Sequence, residues 1–124
     1  MKPKVAVVED NPDNRLLVHA LLEDRFEVQE YETGTDAVAH LADDPPDVVL
    51  LDISLPEMDG PEVLAWIRSS ETLSEVPVIA LTAHAMSGDR ERFLAQGFDD
   101  YVTKPILDEE VLIGAIDRWL KGRA

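Results

Sequence analysis

Five residues with carboxyl, hydroxyl or amine groups follow short apolar runs in this 124-residue chain. Asp52 closes the run Val48–Leu51, and a carboxylate where a buried strand meets solvent can act as a nucleophile or a metal ligand. The other four residues placed in this way are Glu9, Asp10, Thr82 and Lys104. Together these residue types predict a cation site beside a carboxylate nucleophile. These are the groups that transfer of a phosphoryl group to a carboxylate requires.

Each of these residues also has a structural interpretation that the sequence leaves open. An aspartate after a strand, such as Asp52 or Asp10, often forms a turn or caps a helix. Thr82 could satisfy local backbone groups in a turn, and Lys104 could be a solvated surface lysine. The functional interpretation therefore depends on whether the fold brings the five residues together.

Short apolar runs alternate with amphipathic stretches along the chain, and the five residues stand at the ends of such runs. The predicted strands cover Val5–Val8, Phe26–Tyr31, Val48–Leu51, Val76–Leu81 and Tyr101–Val102. Helical spacing of apolar residues follows each run, over Asp13–Leu22, Thr35–Leu41, Gly60–Ile67, Gly88–Ala95 and Asp108–Leu120. These alternations predict an α/β fold, with a single doubly wound, five-stranded parallel sheet and helices on both faces.

The polarity of the runs indicates where each strand lies in the sheet. Three runs are apolar almost throughout, as expected of strands covered on both faces, whereas Phe26–Tyr31 is more polar and favours an edge position. We expect the flavodoxin-like order 2-1-3-4-5 in a three-layer sandwich. In that order the strands that carry the five residues are successive neighbours. Their carboxyl ends should therefore form one site.

The composition fits one soluble globular domain over residues 1–124. The apolar runs are too short to span a membrane and no signal peptide is evident, so we expect a cytoplasmic protein. The absence of cysteine excludes disulfides, thiolate metal sites and cysteine nucleophiles. A formal net charge of −15 would repel phosphate backbones, which argues against direct binding of nucleic acid.

The carboxylates of Glu9, Asp10 and Asp52 would repel one another in a shared crevice unless a cation or a proton offset their charge. Oxygen ligands without histidine or thiolate favour Mg²⁺, Mn²⁺ or Ca²⁺, and Mg²⁺ fits best because it needs few carboxylates besides water and ligand oxygens. Lys104 could pair with a phosphoryl group, and Thr82 could donate a hydrogen bond to it. No glycine-rich phosphate loop is present, so a nucleotide is not the expected donor.

The motifs around these residues resemble the response regulator receiver domain of two-component signalling over essentially the whole chain. The matching segments are Val7-Val8-Glu9-Asp10-Asn11, Leu50-Leu51-Asp52, Leu55-Pro56-Glu57-Met58-Asp59-Gly60, Leu81-Thr82-Ala83 and Lys104-Pro105. The resemblance implies a CheY-like fold. It also implies a phosphorelay signalling domain that takes part only in its own phosphorylation and dephosphorylation, not an enzyme with a separate substrate.

The resemblance assigns a role to each acidic residue. Asp52 would accept a phosphoryl group from the phosphohistidine of a histidine kinase or of a phosphotransfer protein. Glu9, Asp10 and Asp52 would hold Mg²⁺, with the backbone carbonyl of Ser54 as a further ligand.

It also implies a switch that responds to phosphorylation. Thr82 and Lys104 would bind the phosphoryl group, and the peptide bond between Lys104 and Pro105 would be cis. Thr82 would then move towards the phosphoryl oxygens, and Tyr101 would turn inward. The implied output face, which would bind a downstream protein partner, comprises Ser87–Gln96, Asp100–Thr103 and Asp108–Leu120.

Other functions match this sequence less well. A flavodoxin-like electron carrier would bind flavin phosphate after the first strand, where Glu9 and Asp10 would repel it. A phosphatase of the haloacid-dehalogenase type would have a second aspartate where this chain has Ser54. The stretch 82–89 resembles receivers of hybrid sensor kinases and single-domain cell-cycle regulators, so the chain could also be a receiver module cut from a hybrid histidine kinase. We assign no catalytic role to His84.

Overall fold

The computed structural model describes residues 2–83, 89–104, 106 and 108–122. The strands within these ranges are β1 (Lys4–Val8), β2 (Glu27–Tyr31), β3 (Val48–Asp52), β4 (Val78–Thr82) and β5 (Asp100–Thr103). The helices are α1 (Pro12–Leu22), α2 (Gly34–His40), α3 (Gly60–Ser69), α4 (Asp89–Gln96) and α5 (Glu109–Gly122). Strands and helices alternate along the chain, as predicted.

The five strands form one parallel sheet in the order β2-β1-β3-β4-β5. This confirms the predicted topology, including the edge position of the more polar β2. In the register of the sheet Asp52 lies opposite Leu81, and Thr82 lies opposite Thr103. The carboxyl ends of β1, β3, β4 and β5 therefore lie together at one end of the sheet.

The sheet has a hydrophobic core on each face, because successive strand residues point to opposite sides. In β3, Val48 and Leu50 pack with residues of α1 and α5, whereas Val49 and Leu51 pack with residues of α2, α3 and α4. Every residue of β3 and β4 is buried. Coverage on both faces explains why these two strands read as uninterrupted apolar runs.

Helix caps determine how the chain leaves two of the strands that carry acidic residues. The side chain of Asn11 accepts hydrogen bonds from the backbone N–H groups of Asp13 and Asn14, which starts α1 directly after β1. Asp59 accepts from the N–H of Glu62 and starts α3 after the loop that follows β3. Both helices therefore begin close to the carboxyl end of the sheet.

The boundaries differ from the predicted ones by one or two residues. The largest shift at a strand start is in β4, which begins at Val78 and not at Val76. Pro77 has no N–H to donate to a strand ladder, and the N–H of Val76 donates instead to the carbonyl of Leu73 in a turn. Among the described residues no helix combines the length and the apolar character that a membrane span requires.

Candidate functional site

Carboxylates from two neighbouring strand ends meet at the carboxyl end of the sheet. Glu9 and Asp10 follow β1, and Asp52 is the last residue of β3. One oxygen from each of the three side chains lies within 4.8 Å of the others. Glu9 is fully buried and Asp52 is 3% exposed, whereas Asp10 is half-buried. The cluster is thus open to solvent on the Asp10 side.

Lys104 brings the end of β5 into the same cluster. Its Nζ lies 3.1 Å from Oε1 of Glu9 and 3.1 Å from Oδ2 of Asp52. Its backbone N–H donates to the carbonyl of Thr82 at 2.6 Å, which ties the lysine to the end of β4. When all three carboxylates are ionised, one ammonium leaves two negative charges uncompensated.

Burial and crowding change the acidity of two of these groups. Burial, together with the hydrogen bond and the charge of Asp52, raises the pKa of Glu9 to about 7 against the opposing influence of Lys104. Burial by itself would lower the pKa of Lys104. Its hydrogen bonds and charge pairing with Asp52 and Glu9 more than offset that effect, so the pKa of Lys104 lies above its ordinary value.

The loop after β3 holds Asp52 through close backbone contacts. The N–H of Ser54 donates to Oδ1 of Asp52 at 3.0 Å. Gly60 donates its N–H to the carbonyl of Ile53 at 3.1 Å, and a Cβ atom on Gly60 would lie only 2.5 Å from the carbonyl oxygen of Asp52. Only glycine allows α3 to start so close to the acidic residue.

Thr82 lies beside the cluster at the end of β4, and Tyr101 lies on the neighbouring strand β5. Thr82 is buried and directly follows Leu81, the residue that pairs with Asp52 in the sheet. Tyr101 is half-buried, and its ring centroid lies 5.6 Å from that of Phe93 in α4. The two residues are therefore on neighbouring strands, with Thr82 at the cluster and Tyr101 next to α4.

The structure brings Glu9, Asp10, Asp52 and Lys104 together and places Thr82 next to them. Ser54 contacts Asp52 through its N–H, whereas its predicted role uses the backbone carbonyl. The predicted cis bond at Pro105 and the position of His84 lie outside the described residues.

Sequence reasoning missed two residues that shape the site. Arg15 in α1 donates from Nη1 to the backbone carbonyl of Glu9 at 2.9 Å. An arginine in the first turns of the helix that follows an acidic pair was the available signal. Helical spacing predicts that α3 begins at Gly60, but only the tertiary contact shows that the missing side chain makes room for Asp52.

The donor set of the cluster fits a small divalent cation. All three side chains offer hard oxygen ligands, their three carboxylates outnumber the single ammonium of Lys104, and Asp10 provides a solvent-facing side for entry. Glu9, Asp10 and Asp52 are the residues that could hold such an ion.

Comparison with known proteins identifies the family of this site. The sequence model of the response regulator receiver domain matches residues 5–117. The chain is 43% identical over 121 residues to the sensor protein GacS of Pseudomonas syringae pv. syringae, covering 94% of this chain and 13% of GacS. It is 41% identical over 107 residues to the polar-differentiation response regulator DivK of Brucella ovis, covering 86% of this chain and 87% of DivK. The chain thus spans about an eighth of the sensor kinases that it matches.

Solved structures agree with this assignment. The receiver domain of the sensor histidine kinase PA1611 from Pseudomonas aeruginosa PAO1, which has a magnesium ion coordinated in its active-site cleft, superposes with a TM-score of 0.88 at 35% identity. The match covers 98% of this chain and 99% of that one. The chemotaxis protein CheY4 of Vibrio cholerae gives a TM-score of 0.87 at 26% identity, covering 95% and 98% of the two chains. The chain therefore belongs to the response regulator receiver domain family, the CheY-like signalling domains of two-component systems.

Proposed function

We propose that Asp52 is the phosphoacceptor of this receiver domain and that Lys104 and Thr82 bind the incoming phosphoryl group. The observation that carries the proposal is the position of Lys104, whose Nζ is 3.1 Å from both Asp52 and Glu9. An ammonium shared by two carboxylates can stay paired with Asp52 while it turns one donor towards a phosphoryl oxygen.

In the proposed reaction an oxygen of Asp52 attacks the phosphorus of a phosphohistidine on a kinase or phosphotransfer protein. A P–O bond to Asp52 forms as the P–N bond to the imidazole breaks, and the departing imidazole takes a proton from solvent. The hydrogen bond from the N–H of Ser54 to Oδ1 orients the carboxylate of Asp52 and leaves its Oδ2 facing Lys104. Lys104 offsets charge on the transferred group. Hydrolysis of the acyl phosphate in the same site would complete the cycle.

Glu9, Asp10, Asp52 and the backbone carbonyl of Ser54 are proposed to hold Mg²⁺. The excess of three carboxylates over the one ammonium of Lys104 supports this assignment, as does the magnesium ion in the PA1611 receiver. When bound, the cation would supply charge neutralisation for the phosphoryl oxygens, while Glu9 and Lys104 keep the acceptor in place.

Thr82 and Tyr101 are proposed to relay phosphorylation to a downstream protein. Thr82 lies at the acceptor end of β4, and Tyr101 packs against Phe93 of α4 on the neighbouring strand. A movement of Thr82 towards the phosphoryl group would therefore free space that Tyr101 can enter. The surface formed by α4, β5 and α5 is the proposed output face.

The partner on the input side is proposed to be a histidine kinase or a phosphotransfer protein. Two kinds of relative support it: hybrid sensor kinases such as GacS, which contain a receiver as a small part, and DivK, whose length is similar to this chain. We propose a phosphorelay receiver in either context.

The test is incubation of the chain with acetyl phosphate and Mg²⁺, followed by intact mass. We expect one added phosphoryl group, suppressed by EDTA and absent from Asp52→Asn. Asp36→Asn is the matched control, because Asp36 is an exposed carboxylate of α2, and it should be labelled like the wild type. Labelling of Asp52→Asn would place the acceptor elsewhere. Release of phosphate over many turnovers would instead support the phosphatase interpretation.

A further inference from the structure

Arg15 is a half-buried residue of α1 that reaches back to the acidic pair. Its Nη1 donates to the carbonyl oxygen of Glu9 at 2.9 Å, and its side chain is 20% exposed. On the other side of the same residue, the N–H of Glu9 donates to the carbonyl of Tyr31 in β2 at 3.1 Å. The main chain of Glu9 is therefore held from two elements at once.

The oxygen that Arg15 contacts belongs to the peptide unit that joins Glu9 to Asp10. Because a peptide unit is planar, fixing its oxygen also fixes the direction in which the chain continues to the Cα of Asp10. The hydrogen bond thus controls the relative placement of two of the three carboxylates that lie within 4.8 Å of one another. A positive guanidinium on this carbonyl also offsets part of the negative charge nearby.

Arg15 is itself held from the opposite side. Its Nε lies 3.7 Å from Oε1 of Glu30 in β2, and the other carboxylate oxygen of Glu30 lies 3.2 Å from Nδ1 of His19. The second ring nitrogen of His19 is 3.3 Å from Glu23. The Glu30 carboxylate therefore attracts the guanidinium of Arg15 from the β2 side, while Nη1 of Arg15 reaches the turn between β1 and α1.

We infer that Arg15 is a positioning residue that sets the affinity of the acidic cluster for a divalent cation by fixing the Glu9–Asp10 peptide unit. The inference rests on the proposed function, since it concerns the proposed Mg²⁺ ligands. Arg15 does not touch the phosphoryl group in this scheme. Its loss should weaken cation binding and leave the acceptor chemistry intact once the cation is saturating.

The experiment is a Mg²⁺ titration of the isotopically labelled chain, followed by amide chemical shifts and by calorimetry. We expect Arg15→Gln to raise the Kd for Mg²⁺ by roughly ten-fold, the usual effect of removing a group that orients metal ligands. Arg15→Lys keeps the charge but lacks the planar fork that contacts both the Glu9 carbonyl and Glu30, so its Kd should lie measurably between those of the wild type and Arg15→Gln. Arg25→Gln is the control for loss of a positive charge, because Arg25 is exposed at the end of the α1–β2 turn and should leave the Kd unchanged.

Two further readouts separate positioning from a merely structural role. Thermal unfolding in EDTA reports how much Arg15 contributes to holding α1. Labelling by acetyl phosphate at increasing Mg²⁺ should show a shifted half-saturation point and an unchanged maximal rate. A lower unfolding temperature of Arg15→Gln with an unchanged Kd would overturn the inference. If Arg15→Gln does not fold, a Kd of Arg15→Lys equal to that of the wild type would overturn it as well.

Failure of this inference and failure of the proposed function give different results. A wild-type chain that binds Mg²⁺ but is not labelled at Asp52 would refute the phosphoacceptor role, while the comparison of Kd values would still support Arg15 as a positioning residue. Equal Kd values in a chain that is labelled normally would refute the role of Arg15 and leave the phosphoacceptor intact.

Discussion

Nζ of Lys104 lies 3.1 Å from Oε1 of Glu9, although 95 positions separate the two residues in the chain. The contact joins the ends of β1 and β5, which are not neighbours in the sheet. The side chain of Lys104 spans this distance by extending past the ends of β4 and β3. On the way its Nζ also lies 3.1 Å from Oδ2 of Asp52. One ammonium thus pairs with a fully buried carboxylate and with the proposed acceptor.

Replacing Lys104 by methionine should separate its structural role from its role in phosphoryl transfer. Without the ammonium, the buried carboxylates of Glu9 and Asp52 lose a charged hydrogen-bond donor, so the free energy of unfolding of the metal-free protein should fall by about 2 kcal/mol. Labelling by acetyl phosphate should become slower. Urea unfolding in EDTA and timed intact mass measure the two effects.

The control for this change is Lys2→Met, which removes an exposed lysine that donates to the carbonyl of Glu23. We expect Mg²⁺ to bind Lys104→Met at least as tightly as the wild type, because the competing positive charge is gone. Unchanged stability and unchanged labelling of Lys104→Met would contradict the proposed role of this residue.

Glu9 should make the stability of the metal-free protein depend on pH. Burial and the neighbouring Asp52 raise the pKa of its carboxyl from the ordinary value of 4.5 to about 7 in the fold. Between these values the folded protein keeps a proton that the unfolded chain has lost, so the free energy of unfolding falls as the pH rises. Glu9→Gln cannot titrate. Relative to that variant, the free energy of unfolding of the wild type should fall by about 2 to 3 kcal/mol as the pH rises from about 5 to about 8.

The measurement is urea unfolding in EDTA across this pH range, with Glu71→Gln as the control at an exposed position. Adding Mg²⁺ above pH 7 should restore stability to the wild type more than to Glu9→Gln, because a cation that binds the folded state stabilises it. Parallel pH profiles for the wild type and Glu9→Gln would show that Glu9 titrates normally in the fold.

Two glycines should respond to alanine in opposite directions. A Cβ atom at Gly60 would lie 2.5 Å from the carbonyl oxygen of Asp52 and 2.7 Å from the Cα of Ile53, so Gly60→Ala must shift the backbone of the acceptor loop. We expect Gly60→Ala to lower the free energy of unfolding by about 1 to 3 kcal/mol and to weaken the labelling of Asp52 by acetyl phosphate. Gly114 is exposed in α5, and among the described residues no atom outside its chain neighbours and its own helix backbone lies within 4 Å of a Cβ at this position.

Gly114→Ala should accordingly stabilise the protein by about 0.5 to 1 kcal/mol, because alanine has the higher helix propensity. Thermal or urea unfolding of the two variants makes the comparison, and labelling should be normal in Gly114→Ala. Equal effects at the two positions would mean that the close approach of α3 to Asp52 is not required.

The carboxylate of Asp100 should contribute to the attachment of α5 to β5. It is 6% exposed, and its Oδ2 accepts hydrogen bonds from Arg118 at 2.9 Å and from the indole N–H of Trp119 at 3.1 Å. Asp100→Leu leaves these donors without their acceptor and should lower the free energy of unfolding by about 2 to 3 kcal/mol. Arg118→Gln should cost less than about 1 kcal/mol, since the Arg118 side chain is 66% exposed.

Fluorescence gives an independent check of this prediction. In a Trp66→Phe background the emission comes from Trp119, and it should change in Asp100→Leu but remain close to the parent in Arg118→Gln. If both variants lose the same free energy of unfolding, the stabilisation comes from the ion pair with Arg118 and not from the other hydrogen bonds of the buried carboxylate.

Much of this architecture was determined by the sequence itself. Apolar runs at β3 and β4 and a more polar β2 predicted which strands lie inside the sheet and which lies at an edge, because coverage on both faces requires apolar residues on both sides of a strand. Parallel strands with helical connections place their carboxyl ends together. That rule was enough to bring Glu9, Asp52 and Lys104 to one place, as the structure confirms.

How those groups contact one another depends on the packed fold and could not be predicted from the sequence. The pairing of Lys104 with two carboxylates depends on side-chain conformations above the sheet, which strand periodicity does not encode. The hydrogen bond from Arg15 to the carbonyl of Glu9 depends on how α1 packs across β1 and β2. The need for glycine at position 60 arises from the distance between α3 and the Asp52 backbone. Such contacts join residues far apart in the chain, and their geometry exists only once both cores have packed.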